Sequence, residues 1–193
     1  MATWTEFYVN TSNVDALMDQ LMSMTGMTAA TKGKIPDDHH TSYMSDEGAM
    51  PTYLLIGKIS DDWVVVRHNS FNKLEPWGVL LSKRFNCKVI FTMAQSVSDA
   101  YYFAFYDGGR KTREIEVCHS DDSEFLNYGT PFEFEGEEPG TKGDFDGRVE
   151  YVFDFDSIKS YCKHFGLNIE ADERGSMEWT VLERGQRPWW KLW

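Results

Sequence analysis

Residues 88 to 119 contain three apolar runs, KVIFTMAQ, DAYYFAFYD and KTREIEVCH, and the last two meet at Asp107-Gly108-Gly109. A short Asp-Gly-Gly link between strand-like runs forces a tight turn, so these runs must pair antiparallel. In the third run Ile115 and Val117 fall on one face and Glu114 and Glu116 on the other. That alternation predicts an antiparallel sheet with one wet face. The middle run holds Tyr101, Tyr102, Phe103, Phe105 and Tyr106. Such a strand is either central and covered on both faces or the lining of a groove.

Other segments extend this sheet and supply its cover. WTEFYVN reads as a strand, and Ser12 or Asn13 can cap a helix whose apolar face is Val14, Leu17, Met18, Leu21 and Met22. Gly26 is its expected stop. TYLLIGKI and DWVVVRH are strands joined through Ser60-Asp61. Pro76 suits the first turn of a second helix, with Trp77, Leu80, Leu81 and Phe85 as its buried face. SEFLNYGTPFEFE can continue the sheet, and RVEYVFDF is a strand. Asp156 can cap a third helix facing inward through Ile158, Tyr161, Cys162 and Phe165, and SMEWTVLER is a last strand. Residues 28–50 show no period and read as a long loop, and residues 135–147 as an acidic, glycine-rich loop. The expected fold is a single α+β domain over residues 1–193, a mainly antiparallel sheet with about three helices packed against it.

Composition narrows the function. The formal net charge is −12, which repels phosphate backbones and favours a basic protein partner over direct binding to nucleic acid. Cys87, Cys118 and Cys162 are odd in number and widely spaced, as expected of free thiols in a reducing compartment. The first ten residues lack the pattern of a secretory signal, and no apolar run approaches the roughly 20 residues that span a bilayer. The expected location is the cytoplasm, away from membranes.

From Glu133 to Asp156 nine carboxylates face only Lys142 and Arg148, so this stretch carries seven of the twelve net negative charges. In FEFEGEE and VFDFD aromatics alternate with acids, which on a strand sets a row of carboxylates on one face. Two readings stand: a solvated face, or a surface awaiting positive charge. On the second, Glu133, Glu135, Glu137, Glu138, Asp144 and Asp146 are the candidate partner-binding residues. In the terminal GQRPWWKLW, Trp189 and Trp190 either anchor a partner or fold back over the core.

Catalytic patterns are lacking. Starting an EF-hand at Asp144 puts Arg148, Val149 and Phe155 where ligand, glycine and glutamate belong. His39 and His40 are adjacent, not spaced as zinc ligands on a helix. Cys118 and His119 are neighbours that point to opposite faces of a strand, so they form no nucleophile–base pair. Cys87 and Cys162 read as buried. No G-x-S-x-G, P-loop, dinucleotide, HExxH or kinase pattern occurs. No catalytic residue, metal ligand or cofactor is therefore assigned.

The run PWGVLLSKRFNCKVIFTMAQSVSDAYYFAFYDGGRKTREIEV, followed by YGTPFEFE, resembles small uncharacterised bacterial proteins, some of which look like immunity proteins of contact-dependent or polymorphic toxin systems. The resemblance covers residues 76–135, about a third of the chain, and implies no functional residue. The expectation is a cytosolic inhibitor that neutralises a basic toxin or enzyme. Two alternatives are an accessory protein that mimics nucleic-acid charge, and a metal-dependent enzyme built on His39, His40 and the Asp144 region.

Overall fold

The structure is a computed structural model and describes residues 3–33, 50–119, 125–145, 148–170 and 177–184. In chain order the elements are β1 (Thr3–Asn10), α1 (Val14–Thr25), β2 (Thr28–Gly33), β3 (Tyr53–Lys58), β4 (Trp63–His68), α2 (Glu75–Phe85), β5 (Lys88–Gln95) and β6 (Ala100–Asp107). They continue with β7 (Arg110–Cys118), β8 (Phe125–Gly129), β9 (Thr141–Phe145), β10 (Arg148–Val152), α3 (Phe155–His164) and β11 (Trp179–Glu183). Among the described residues, nine strands form one antiparallel sheet in the order β2-β11-β3-β4-β1-β5-β6-β7-β8, and β9 and β10 form a separate hairpin. The α+β class with a mainly antiparallel sheet is therefore observed. The stretch read as loop from residue 28 instead begins with strand β2, which pairs with the late strand β11. A run with no apolar period is drawn into the sheet by a partner some 150 residues away in sequence, as the Glu183↔Thr28 register shows.

Both faces of the central strands are covered. On one, Phe7, Val9, Val64, Val66, Val89, Phe91 and Tyr106 meet Leu17 and Leu21 of α1 and Trp77 and Leu81 of α2. On the other, Tyr8, Val65, Ile90, Phe103, Phe105 and Ile115 meet Ile158, Tyr161 and Cys162 of α3. Asn13 caps α1 by accepting from the Ala16 amide at 3.0 Å, and Gly26 ends it in the left-handed region (φ 69°). Leu80 faces solvent rather than the core. Asp154, not Asp156, caps α3, accepting from the Ser157 amide at 2.8 Å.

The wet face expected of β7 is dry at Glu114 and only partly wet at Glu116. Because α2 lies across β5, β6 and β7, Glu114 is buried, accepting from the Tyr102 hydroxyl at 3.0 Å and from Lys111 Nζ at 2.7 Å. Glu116 pairs with Lys73 at 2.5 Å. Alternation of charge and apolar side chains marks two faces, but it does not say that the charged one meets water. In β1 the fully buried Glu6 likewise accepts from Arg67 Nε at 2.8 Å and from the Tyr8 hydroxyl at 2.6 Å.

His68, at the end of β4, is buried beside Ser70, Thr92, Lys73 and Tyr102 around a cavity with room for about one water. Burial pushes its pKa down to about 4, against the opposing pull of Glu6 and of a hydrogen bond with the Ser70 backbone. A lowered folded-state pKa means that the unfolded chain takes up the proton first. Stability tied to His68 is therefore complete above the unfolded pKa of about 6.5 and falls as pH drops towards 4. The expected loss is roughly 2–3 kcal/mol between pH 7 and pH 4. Urea unfolding of the protein and of His68→Asn across this range should show that component only in the histidine form.

Candidate protein-binding surface

Arg113 organises the acidic half of the molecule. It shares the inward phase of Ile115 and Val117 on β7, and its side chain is fully buried. It stands opposite Gly129 of β8. Gly129 adopts φ 93°, and a Cβ there would lie 2.0 Å from the Thr112 carbonyl oxygen, so only glycine lets β8 close onto β7 at this point. Arg113 Nη1 donates to Asn127 Oδ1 (2.6 Å) and the Tyr128 carbonyl (2.8 Å). Its Nε and Nη2 donate to the two oxygens of Glu135 at 2.8 and 2.6 Å. The Glu135 side chain is 1% exposed and also accepts from the Phe132 amide at 3.0 Å. A buried charge pair survives only when its remaining bonding capacity is met, and here it is.

The segment carrying Glu135 is a turn, not the strand expected from FEFEGEE. The Glu135 amide donates to the Phe132 carbonyl at 2.9 Å, which breaks the two-residue alternation. Phe132, Phe134 and Glu135 all turn inward, while Glu133, Glu137 and Glu138 are exposed. Phe132 packs edge-on against Phe105 (5.3 Å between ring centres), and Phe134 stacks on His164 at 3.8 Å and meets Tyr161 at 5.2 Å. Burial, reinforced by the nearby Glu135 carboxylate, raises the pKa of Tyr161. The Tyr161 hydroxyl in turn accepts from the Gly140 amide at 3.4 Å. The turn is thus fastened to the core at both ends.

Placement of the expected site residues follows from this. Glu133 is exposed within the turn, and Glu137 and Glu138 are exposed in the bend that follows it. Glu135 is withdrawn from that surface because Arg113 holds it inside. Asp144 falls within β9, opposite Val149 of β10, so the supposed loop at 135–147 contains a strand. Asp146, Trp189, Trp190, His39 and His40 lie outside the described residues, as does most of the stretch 28–50. Cys87 and Cys162 are buried free thiols, and burial raises the Cys87 pKa to about 11, which leaves it unreactive.

The surface also carries an apolar sheet edge that alternation and charge do not reveal. All five residues of β8 are exposed, among them Phe125 (57%), Leu126 (37%) and Tyr128 (51%). Their signal was present in SEFLNYG, a strand run without the lysine or proline that commonly protects a sheet edge. Arg113 was also legible, since it sits two residues before Ile115 in the inward phase. No family model, curated protein or solved structure matches this chain.

Proposed function

We propose that this protein is a cytoplasmic binding inhibitor, of the kind that neutralises a cognate toxin, and that it engages a basic protein partner through the turn and following bend that bear Glu133, Glu137 and Glu138. The observation that carries this reading is the fixing of that turn. Three exposed carboxylates stand on backbone anchored by the buried Arg113–Glu135 pair and by Phe132 and Phe134. A rigid display lowers the ordering cost of binding a complementary surface. Charge of this sign also speeds encounter with a basic protein. The partial resemblance of residues 76–135 to immunity proteins points the same way.

The partner would be isolated on the tagged protein from native lysate, released by high salt and identified by mass. Stopped-flow association would then compare the protein with a Glu133→Gln, Glu137→Gln, Glu138→Gln variant. The variant is expected to fold normally, because exposed substitutions of this kind change stability by about 0.5 kcal/mol or less each. Its association rate should fall about tenfold at low ionic strength and converge with that of the parent protein near 0.5 M salt. Equal rates at low salt would remove the acidic turn from recognition.

A further inference from the structure

β8 ends the nine-stranded sheet, and among the described residues no strand lies beyond it. An edge of this kind offers a row of backbone donors and acceptors to any extended chain. Three large apolar side chains on the same five residues stand exposed beside it. Leu126 and Tyr128 lie opposite Glu116 and Glu114 on one face of the sheet, and Phe125 lies opposite Val117 on the other. An arriving strand would therefore find an apolar contact on either side of its backbone.

Charge selects what can arrive. From Glu114 to Thr141 the sequence contains nine carboxylates and no lysine or arginine. Glu114, Glu116 and Glu135 are paired with Lys111, Lys73 and Arg113, with Lys111 shared with Glu75. Asp121, Asp122 and Glu124 immediately precede β8 in sequence, and the exposed Glu133, Glu137 and Glu138 follow it. The turn is tied to β8 through Arg113, which bonds Asn127, Tyr128 and Glu135 together. A second copy of this chain, itself at −12, would be repelled from such an edge.

We infer that β8 receives an extended segment of the partner protein, alternating apolar with lysine or arginine side chains, as an added antiparallel or parallel strand. Backbone hydrogen bonds to β8 supply affinity, and Phe125, Leu126 and Tyr128 supply the apolar contacts. The acidic turn sets the sign of charge accepted. The inference rests on the proposed function only for that sign.

The test uses the full chain, isotopically labelled, and three nine-residue peptides. One alternates lysine with valine and threonine, one replaces lysine by glutamate, and one is the lysine peptide N-methylated at every second residue. The lysine peptide is expected to shift the Phe125–Gly129 amide resonances and slow their hydrogen exchange at least tenfold. The methylated and glutamate peptides should do neither. Leu126→Lys, with an unchanged circular dichroism spectrum, should weaken the lysine peptide at least tenfold. Shifts confined to residues 133–138 would overturn strand addition while leaving the acidic reading intact. Equal binding of the lysine and glutamate peptides at β8 would keep strand addition and overturn the acidic reading. Protection of β8 without peptide, together with a dimer mass in sedimentation, would overturn the inference in favour of self-pairing. Absence of any β8 response to the lysine peptide would overturn it outright.

Discussion

Replacing Arg113 by alanine should destabilise the protein by about 3–5 kcal/mol, the range expected when one member of a buried ion pair is removed. The Glu135 carboxylate, 1% exposed, would lose both bonds from the guanidinium and keep the Phe132 amide and the neighbouring Tyr161 hydroxyl. Asn127 Oδ1 and the Tyr128 carbonyl would lose their donor as well. Glu135→Gln should cost less, because a neutral amide can still accept from Arg113, although the arginine charge then stays buried without a counter-charge. Removing both charges with Arg113→Met and Glu135→Leu should recover much of the loss, since neither residue then leaves a buried charge unpaired. Urea denaturation of the double variant and of its own two single variants, Arg113→Met and Glu135→Leu, closes the cycle. A cost below about 1 kcal/mol for Arg113→Ala would mean that the aromatic side chains alone hold the turn. The same variant should show faster hydrogen exchange at the Phe132 and Glu135 amides, because their turn loses its anchor.

Phe103→Ala should cost a similar amount, about 3–5 kcal/mol. Phe103 is fully buried at the centre of the α3 face, 5.2 Å from the Tyr161 ring and 6.5 Å from Phe132. Its removal opens a cavity walled by α3 and the acidic turn, neither of which can close it without pulling on the other. Phe103→Leu keeps most of the volume and should cost less than about 1.5 kcal/mol. Thermal and urea unfolding distinguish the two. If alanine were as mild as leucine, the α3 face would have to be loosely packed, and the turn would not be the fixed platform proposed above. On the opposite face of β6, Tyr102 and Tyr106 are buried against α2.

The aromatic strand shows how far local pattern reaches. Five aromatics in six positions admit a covered centre or an open groove, and the sequence does not choose between them. The choice was made by α2 and α3, which arrive from different parts of the chain and cover the strand from both sides. The phase of β7 was legible through Ile115 and Val117. That Glu114 on the other phase would be buried was not, because burial depends on where α2 lands. The capping role of Asn13, the stop at Gly26 and the Asp107-Gly108-Gly109 turn were readable, since each depends on neighbours along the chain.

The candidate surface divides in the same way. That residues 133 to 138 carry an excess of negative charge is a property of composition. Which of those charges meets solvent is not. Glu135 is identical in chemistry to Glu133, Glu137 and Glu138, yet it is held inside by an arginine 22 residues earlier. The exposed edge at β8 likewise follows from strand order. The sequence alone determined the strands of the central sheet, the cap and stop of α1 and the sign of the charge, because these follow from side-chain period, backbone preference and ionisation. Only the tertiary structure decided which charges are paired, which aromatics are covered and which strand lies at the edge, because each depends on contacts between residues far apart in the chain.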